Sequence, residues 1–486
     1  MGQTSPKALN PHFKKEYRIF IEDYLFRLLG LVNDEKHRQN LIEDEAALEK
    51  DKGAVYIDDD NSICFCASRI RAFRLHLEDT EKVDPESIRL TRRVIESFYA
   101  VSRNNRTGSG KQIDSPYYKG TDKDSSLFKH TLYSFAVQKG VCGWIIDHSQ
   151  SEKMEQFIEL LETWAVKTYE GKKVSLGFII DLQATSQFDN MYGNWLKFLA
   201  TDNAAVLTDC IHSAIVLDKD CNYVQHISIS DGDKFDECKT SCDVPLRFTQ
   251  VIREHVTGSK RAGVFLLNNG DIILAKNRRV CFVKRNNKWL NFSYKAFNNA
   301  LAPFRSRYSV DDALIDSVYA SVLDVSFSHA GGIVAVIGLP WSSKEEVFEE
   351  SVLNPCDNLL NNKTGAELYA EEQKKWTAED REQKAEEMTK KLLKRNVMQA
   401  LVEKNTFPIL DRKLRSELMA LDGACILNCA GEIYSFGAII RYDSGSTGGG
   451  RGAAAKKLSA YGMAVKISTD GYIELYINQK KVYEIK

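Results

Sequence analysis

The sequence predicts an α/β protein in which one or two mixed α/β domains precede a C-terminal mixed β-sheet flanked by helices. From about residue 130 onward, short apolar runs typical of strands alternate with longer stretches whose apolar residues recur at helical spacing. Asn269-Gly270 lies between two apolar runs, which is typical of a two-residue hairpin turn. At 486 residues the chain is too long for one ordinary core, which favours two or three domains.

The first 125 residues are predicted to form a region of helices and a hairpin that ends in a linker. Residues 15–50 carry apolar side chains at roughly helical spacing, and the following hairpin has its turn at Asp58–Asn61. A second helix is expected at 87–101. The stretch 103–125 is polar and rich in Gly, Ser, Asn and Lys, which is typical of a loop or linker.

Residues 126–307 are predicted to form one α/β domain or two small ones, because strands and helices alternate there. The predicted elements are, in order, a strand at 141–146, a helix at 154–169, a strand at 174–182, a helix at 192–199, hairpins at 213–229 and 263–275, a strand at 280–285 and a helix at 289–304.

The third region, residues 308–486, is predicted to begin with a helix at 311–326 and a buried strand entered through Gly331-Gly332. An insertion at about 345–410 then interrupts it. Within this insertion, Glu367–Lys404 is rich in Glu, Lys, Gln and Ala, and its apolar residues near the end lie on one side: Met388, Leu392, Leu393, Val397, Met398, Leu401 and Val402. That pattern favours a long helix, solvated early and docked late. A coiled-coil partner helix stays open as an alternative, although its apolar seam covers few heptads.

Two hairpins resemble each other in sequence. Ser213–Asp218 with its return strand is similar to Gly423–Asn428 with its own return strand. Ordinary strand residues often produce such likeness, so an internal duplication is only suggested by this pair.

Composition and charge exclude several classes of partner. Hydrophobic residues make up 43% of the chain, as in globular proteins, and 66 basic residues nearly cancel 67 acidic ones. No global field therefore attracts nucleic acid or an anionic membrane. The start of the chain lacks the apolar stretch of a signal peptide, and no segment approaches the roughly 20 apolar residues that span a bilayer. We expect a cytoplasmic protein without a DNA or membrane partner.

The eleven cysteines are expected to be reduced and mostly buried. Cys64 with Cys66 and Cys238 with Cys242 are close enough in sequence to be considered as metal ligands. Neither pair is accompanied by a second Cys or His pair at zinc spacing.

Two C-terminal motifs point to nucleotide chemistry. Asp422-Gly423-Ala424 opens an apolar strand, and Gly448–Lys457 later runs from a glycine loop into a helix start rich in Ala and Lys. Backbone N–H groups of such a loop and the helix dipole favour a phosphate, and Arg451 is able to fork onto phosphate oxygens. A carboxylate such as that of Asp422 suits Mg²⁺ or Mn²⁺, which neutralises a triphosphate and polarises its α-phosphorus.

Two other motifs fail when compared with the patterns they resemble. Thr107–Lys111 is similar to the end of a P-loop, but Asn105 and Gln112 stand where that motif needs Gly and Ser or Thr. Asp218–Asn222 is similar to the opening of a calcium loop, but it lacks the next glycine and the late glutamate. A linker and a hairpin turn are the better interpretations.

The C-terminal motifs resemble the diadenylate cyclase domain, the nucleotide-binding domain of the DNA-integrity scanning protein. That family carries Asp-Gly-Ala, then Gly-Thr-Arg-His-Arg-Ala-Ala, then a strand ending in Ser-Glu-Glu. The corresponding residues here are Asp422-Gly423-Ala424, then Gly450–Ala455, then Ser468-Thr469-Asp470, with Gly331–Val334 loosely matching the family's earlier Gly-Ala-Leu-Ile strand. The resemblance covers about 308–486, so a diadenylate-cyclase-like fold is expected there. The region 126–307 resembles sensor-type domains found beside degenerate cyclase-like domains, although no sharp motif carries that likeness.

The resemblance implies a reaction and a ligand set. In the family, two domains meet face to face, each holding one ATP, and each ribose 3′-OH attacks the partner's α-phosphate to give cyclic di-AMP. ATP as substrate or ligand, Mg²⁺ or Mn²⁺, and a face-to-face homo-oligomer are therefore expected. The implied roles are metal binding and activation of the hydroxyl for Asp422, metal binding for Asp470, adenine contacts for Gly332 and Ile333, contacts along the nucleotide for Gly423 and Ala424, and phosphate contacts for Gly449, Gly450, Arg451 and Lys456.

The chain departs from the family at charged positions. The Arg-His-Arg triplet is here Arg451-Gly452-Ala453, and Thr469 stands where the family has a glutamate. Losing one charged phosphate contact commonly costs about 1–3 kcal/mol. Two functions therefore stay open: an enzyme that condenses ATP to cyclic di-AMP or a related dinucleotide, and a catalytically degenerate nucleotide sensor that uses the same pocket. Because the chain ends with the cyclase-like region, a DNA-scanning role is not expected.

Overall fold

The computed structural model describes residues 11–44, 54–67, 70–78, 83–104, 122–148, 152–187, 195–229, 242–338, 348, 352–440 and 449–486. Most of the predicted linker at 103–125, and Gly448 of the glycine loop, lie outside these residues. The chain divides into two compact units. The N-terminal unit comprises Met1–Thr240 and Arg247–Asn299, and the C-terminal unit comprises Ser241–Leu246 and Ala300–Lys486. Both are mixed α/β, as the sequence predicts.

The N-terminal unit contains two main sheets and the helices that cover them. Its helices are α1 (Pro11–Phe20), which continues through a π-helical turn (Ile21–Leu25) into α2 (Phe26–Leu29), α3 (Glu35–Asn40), α4 (Pro85–Asn104), α5 (Asp122–Ile146), α6 (Glu152–Val166), α7 (Trp195–Leu199), α8 (Thr249–His255) and α9 (Tyr294–Ala300, whose last residue belongs to the other unit). Its strands are β1 (Leu41–Glu43), β2 (Val55–Ile57), β3 (Ser62–Ala67), β4 (Ile70–His76), β5 (Thr168–Tyr169), β6 (Lys172–Lys173), β7 (Leu176–Asp181), β8 (Ser213–Leu217), β9 (Tyr223–Ser228), β10 (Arg261–Leu266), β11 (Ile272–Lys276), β12 (Arg279–Arg285) and β13 (Lys288–Asn291).

Strand pairing in this unit is almost entirely antiparallel. A four-stranded sheet has the order β1-β4-β3-β2, and a seven-stranded sheet has the order β13-β12-β11-β10-β7-β8-β9. In the larger sheet only β7 and β8 are parallel. The predicted hairpins at β2–β3, β8–β9 and β10–β11 are all present, each joined across its expected turn.

One apolar core joins the predicted 1–125 region to the predicted 126–307 domain. Its buried cluster runs from Tyr17 to Trp289. Helices α4 and α5 pack closely because Gly140 has no side chain: a Cβ there would lie 2.5 Å from the Cα of Val94. The predicted three-part division is therefore corrected to two units, since neither part buries its apolar faces without the other.

Several predicted elements differ in the structure. The stretch 15–50 is predicted to be helical but contains β1 at Leu41–Glu43, and residues 122–125 of the predicted linker belong to α5. Val141–Ile146 is the end of α5 and not a strand, because a short run that is apolar all round does not reveal its period. Trp289 lies in β13, and the helix predicted to start there begins only at Tyr294. The long helix predicted over Glu367–Lys404 is broken into two.

The C-terminal unit is a six-stranded sheet with helices on both faces. Its helices are α10 (Ala302–Tyr308), α11 (Asp312–Ser328), α12 (Gly365–Gln373), α13 (Arg381–Val402), α14 (Arg412–Met419) and α15 (Gly449–Leu458). Its strands are β14 (Gly332–Ile337), β15 (Ala424–Asn428), β16 (Ile433–Ala438), β17 (Gly462–Ile467), β18 (Ile473–Ile477) and β19 (Lys480–Ile485). The order is β16-β15-β14-β17-β18-β19, with only β14 and β15 parallel.

The alternation of side chains along β14 separates the two helical layers. A Cβ on Gly332 would meet Met419 of α14 and Val325 of α11, which places these helices on one face. Ile333, the next residue, belongs to an apolar cluster with Ala454, Ala455 and Leu458 of α15 and so points to the other face. The helix predicted at 311–326 and the strand after Gly331 are confirmed, and the main segment of the unit begins at Ala300 instead of 308.

Helix α13 of the charged insertion docks through polar contacts. Arg395 is 4% exposed and donates hydrogen bonds to the backbone carbonyls of Asn361 and Lys363 at 2.7 and 3.1 Å. Of the apolar residues expected to dock, Met388 and Val402 are buried and Leu392 and Met398 are partly buried, with Leu392 packed against a cluster that contains Met388. The other three are exposed. These exposed residues are Leu393, Val397 and Leu401. Among the described residues, no helix is long and apolar enough to cross a membrane.

Candidate functional site

A cavity of about 300 Å³ opens at the start of β15 in the C-terminal unit. Its lining residues come from three strands and one helix: Ile333, Asp422, Gly423, Ala438, Ile439, Ile440, Gly450, Arg451 and Ala454. Five of them are residues that the sequence predicts for the site: Ile333, Asp422, Gly423, Gly450 and Arg451. The volume lies at the lower end of the range typical of small-molecule sites. The two C-terminal motifs therefore meet in space at one cavity.

Gly423 allows the backbones of β15 and β16 to approach at the wall of this cavity. Its φ is +112°, and a Cβ there would lie 2.4 Å from the carbonyl carbon of Gly437 and 2.8 Å from the carbonyl oxygen of Ala438. The strand register also shifts between Ala424 and Ile426. An L side chain is excluded at 423 by both conformation and space, so Asp422 is held at the mouth of the strand.

Lys394 of α13 supports the same wall from the insertion. Its ammonium donates to the carbonyl oxygen of Gly437 at 2.5 Å and lies 3.3 Å from the carboxylate of Asp357. The would-be Cβ of Gly437, a residue with φ of +65°, lies 3.0 Å from the carbonyl oxygen of Asp422. Lys394 thus connects the charged insertion to the cavity, because it binds the backbone of Gly437, and Gly437 lies close to the backbone of Asp422.

Helix α14 is anchored just before Asp422 by a buried ion pair. Arg412 is 4% exposed, and its Nε and Nη2 donate to the two carboxylate oxygens of Asp324 on α11 at 2.8 and 2.9 Å. The Ser416 hydroxyl donates to the same carboxylate at 3.1 Å. Because α14 ends only three residues before Asp422, this anchor limits where the carboxylate lies.

The two charged residues of the cavity have no hydrogen bond or ion pair within the described part of the chain. Asp422 is exposed and Arg451 is partly buried. The guanidinium of Arg451 lies against Gly331, whose φ is +72° and whose Cβ, if present, would be 3.0 Å from Nη1. Opposite charges that line one small cavity without pairing are available to a ligand that supplies both a cation and an anion.

Helix α15 adds a positive helix end to the cavity. It starts at Gly449, and Gly450, Arg451 and Ala454 line the cavity. The first N–H groups of a helix have no intrahelical acceptor, and the helix dipole makes that end positive. The start of α15 is therefore an electrostatic match for a phosphate.

Five predicted site residues lie outside the cavity lining. Gly332 faces α11 and α14 on the other side of the sheet, and Ala424 is fully buried in the apolar cluster. Gly449 is exposed at the helix start with no atom within 4 Å of a would-be Cβ. Lys456 is exposed near the end of α15, about 8 Å along the helix axis from Arg451. Asp470 is exposed in the β17–β18 turn.

Asp422 would be the protein ligand of a divalent metal at this cavity. Among the described residues there is no group of three or more His, Cys, Asp or Glu side chains that could hold a metal. Mg²⁺ is commonly bound through one or two carboxylates together with substrate phosphates and water, so a single carboxylate facing a phosphate-binding helix start fits that ion.

Lys466 of β17 supplies a cation beside Gly452. Its ammonium is 2.8 Å from the Glu474 carboxylate and 3.8 Å from the point where a Cβ of Gly452 would lie. Burial alone would raise the pKa of Glu474, but the hydrogen bond and charge of Lys466 hold it below its ordinary value. Lys466 pairs across the sheet with Ile333 of the cavity, so both side chains point to the same face.

Sequence reasoning missed the apolar wall and its support. Ala438, the last residue of β16, and Ile439 and Ile440 directly after it line the cavity, and Ile439 is 63% exposed there. An isoleucine pair directly after a glycine-interrupted strand was an available signal. Lys394 gave none, because it is one lysine among many on a charged helix and only tertiary packing selects it.

Comparisons with known proteins do not assign the chain to a family. No protein-family model, curated protein or solved structure matches it significantly. The resemblance to the diadenylate cyclase domain therefore stays a prediction that rests on the quoted motifs.

Proposed function

We propose that the C-terminal unit binds a nucleoside triphosphate, with ATP as the first candidate, together with Mg²⁺ or Mn²⁺. The observation that carries this proposal is the cavity in which Asp422 and Arg451 face the same space without pairing. A metal-bound polyphosphate satisfies both charges at once. Burying such charges is favourable only when each has a partner.

Each part of the cavity has a role in this proposal. Arg451 and the N–H groups at the start of α15 hold phosphate oxygens. Asp422 holds the metal, which supplies Lewis-acid polarisation of the α-phosphorus when bound. Ile333, Ile439 and Ile440 offer apolar surface to the base. Gly423 and Gly450 let the ligand approach the backbone closely.

The first candidate for chemistry is condensation of ATP to cyclic di-AMP or a related dinucleotide. In each half-reaction a ribose 3′-oxygen bonds to the α-phosphorus of a second ATP, the bond from that phosphorus to the bridging oxygen breaks, and pyrophosphate leaves. Asp422 lies where it would accept the hydroxyl proton or orient the metal that lowers the hydroxyl pKa. Two copies of the cavity have to face each other for this reaction, which a homo-oligomer of the chain supplies.

The second candidate is a sensor that binds the nucleotide without turning it over. Gly452 and Ala453 favour it, because they carry no charge and stand where the resembled family has a histidine and a second arginine after the position of Arg451. Lys466 is the cation next to Gly452, and Glu474 already neutralises it. Missing transition-state charge contacts commonly cost about 3–4 kcal/mol of barrier, roughly two to three powers of ten in rate.

Calorimetry and product analysis separate these outcomes. The full chain is titrated with ATP in the presence of Mn²⁺, and a parallel incubation is resolved by mass. Asp422→Asn and Arg451→Ala should each weaken binding by at least about tenfold. The matched controls Asp470→Asn and Lys456→Ala remove an exposed acid and an exposed cation outside the cavity, and they should leave affinity within about twofold.

Three results are informative. A cyclic dinucleotide that disappears in Asp422→Asn supports the enzyme. ATP binding without product, again lost in Asp422→Asn, supports the sensor. No ATP binding by the wild type, or equal losses in the cavity variants and their controls, contradicts the proposed site.

A further inference from the structure

The larger sheet of each unit has the same connectivity. In the N-terminal unit β7 is parallel to β8, β8 forms a hairpin with β9, and β10, β11 and β12 continue antiparallel from the other side of β7. In the C-terminal unit β14 is parallel to β15, β15 forms a hairpin with β16, and β17, β18 and β19 continue antiparallel from the other side of β14. Strand β13 is an addition to the first sheet.

The helices occur at the same points of both paths. Helix α6 precedes β7, α7 lies between β7 and β8, and α8 lies between β9 and β10. Helices α11, α14 and α15 occupy the same three points relative to β14, β15, β16 and β17. The charged insertion with α12 and α13 lengthens one connection of the second path.

The agreement extends to single hydrogen bonds in the β8–β9 and β15–β16 hairpins. Asp218 donates its N–H to Asn222 O at 3.0 Å, and its Oδ1 accepts from the N–H groups of Asp220 and Asn222. Asn428 donates its N–H to Glu432 O at 3.0 Å, and its Oδ1 accepts from the N–H groups of Ala430 and Glu432. The same side-chain-stabilised turn therefore closes both hairpins.

The last three strands agree without any insertion or deletion, from Arg261–Arg285 to Gly462–Lys486. Both first turns contain a glycine with positive φ, Gly270 and Gly471, whose N–H donates three residues back. Both second strands have their register shift at the same point, after Leu274 and after Leu475. Both next turns consist of two residues with positive φ, which are Asn277 with Arg278 and Asn478 with Gln479.

The registers also define equivalent positions at the cavity. Phe178 pairs with Ile215 and Val264, as Val334 pairs with Cys425 and Val465. Counting one residue back along β7 and β14, Gly177 corresponds to Ile333. Counting back two and three residues from the equivalent residues Ile215 and Cys425, Ser213 and His212 correspond to Gly423 and Asp422.

At these positions the N-terminal unit has replaced the cavity with its own chain. A Cβ on Gly177 would lie 2.7 Å from the Cα of Cys210, so the loop before β8 lies directly on the strand at the position where Ile333 lines the cavity in the other unit. Asp209, the carboxylate of that loop, is occupied by the ring of His212 at 2.6 Å and by the N–H groups of Ile211, His212 and Ser213.

The loop before β8 and the start of α8 are both held by contacts within the chain. Burial would raise the pKa of Asp209, but the hydrogen bonds from His212 and the backbone lower it to about 2. Phe248 and Thr249 are buried at the start of α8, where α15 begins on exposed glycines. The Asp209 carboxylate thus stabilises the loop before β8, and the start of α8 is buried by the surrounding residues.

We infer that the chain carries two copies of one α/β fold and that only the C-terminal copy has kept the anion-binding cavity. The N-terminal copy acts as a scaffold of the same fold with its ligand place filled by residues 207–212. This inference rests on the proposed function for the identity of the ligand, and it adds a stoichiometry: one metal-bound nucleotide per chain.

Titration of the full chain with ATP and Mn²⁺, and separately with tripolyphosphate and Mn²⁺, tests the inference. We expect 1 mole of ligand per mole of chain, on the order of a tenfold loss of affinity in Asp422→Asn, and unchanged affinity in His212→Ala. The double variant His212→Asp/Ser213→Gly restores both cavity-motif residues, and it should still bind one ligand because Cys210 fills the space.

The failures are distinguishable. Two ligands per chain, one of them lost in Asp422→Asn and the other lost in His212→Ala, or a second site created by the double variant would overturn the inference and leave the proposed function standing. No binding at all by the wild type overturns the proposed function and the single-site inference together. Calorimetric melting of each variant shows that the fold is intact before the titrations are compared.

Discussion

Replacing Gly423 by alanine should damage both the stability of the C-terminal unit and its ligand site. The residue has φ of +112°, where L side chains are strained by about 1–3 kcal/mol. Its new Cβ would lie 2.4 Å from the carbonyl carbon and 2.6 Å from the carbonyl oxygen of Gly437, and backbone atoms cannot rotate away as a side chain can. Overpacking of this kind adds about 1–3 kcal/mol.

The summed cost of about 2–6 kcal/mol is a large part of the stability of one domain. A domain of this size loses about 2–4 °C of melting temperature per kcal/mol, so a decrease on the order of 10 °C is expected. The displacement of the strand mouth also moves Asp422, and affinity for ATP with Mn²⁺ should fall at least about tenfold.

Gly452→Ala is the matched control for this prediction. Gly452 lies inside α15, and the nearest atom to its would-be Cβ is the ammonium nitrogen of Lys466 at an ordinary 3.8 Å. Alanine favours a helix interior over glycine by about 1 kcal/mol, so this variant should melt slightly higher. Differential scanning calorimetry of the full chain measures both. If Gly423→Ala melts within about 2 °C of the wild type, or if the two variants change stability equally, the assignment of Gly423 as a conformationally required glycine is refuted.

The remaining predictions concern three other polar contacts. Arg412→Met should destabilise the C-terminal unit by about 3–5 kcal/mol because it leaves the Asp324 carboxylate without its ion-pair partner. The double variant with Asp324→Leu should recover much of this loss, and equal losses of the two variants in calorimetry would contradict this reasoning. Burial lowers the pKa of Lys276 to about 8 from its ordinary 10.5. The buried charge therefore destabilises the folded state fully below pH 8, and this destabilisation is lost as pH rises toward 10.5. The stability advantage of Lys276→Met over the wild type should therefore shrink by on the order of 3 kcal/mol across that window in urea titrations, and a pH-independent difference would speak against it. Lys394→Met should weaken ATP binding severalfold by freeing the strand wall beside the cavity, whereas Lys390→Met, an exposed lysine on the same helix, should not; calorimetric affinities that change equally would exclude a positioning role for Lys394.

Local chemistry was sufficient to predict the parts of this protein that depend on neighbouring residues. The hairpin at Asn269-Gly270, the helix at 311–326 and the strand after Gly331 follow from turn residues and from periodicity, and all three are present. The sequence also predicts Asp422 and Arg451 as members of one site, because a carboxylate before a strand and a glycine-led helix start each have a recognisable pattern. Their meeting at one cavity agrees with that prediction.

The spacing of apolar residues did not predict the structure where a segment is buried on every side, or where the docked face of a helix carries a polar residue with acceptors elsewhere in the chain. The run Val141–Ile146 is apolar on every side, so its helical period left no trace in the sequence. On α13 the docked side includes Arg395 and the exposed side includes Leu393, because carbonyl acceptors from residues 361–363 satisfy the guanidinium. A pattern of apolar residues cannot anticipate acceptors that come from elsewhere in the chain.

The sequence by itself therefore determined the α/β class, the order of most elements and the two motifs of the candidate site, since each depends on residues close together in the chain. Only the tertiary structure decided that Lys394 supports the cavity wall, that Lys456 and Asp470 lie outside the cavity, and that one core joins the first two predicted regions. The tertiary structure also extended the sequence likeness of two hairpins to the connectivity of two whole sheets, with an open cavity in one of them. The physical reason is that register and packing are relations between distant residues. A filled cavity such as that at Gly177 and Cys210 is visible only when those residues are brought together.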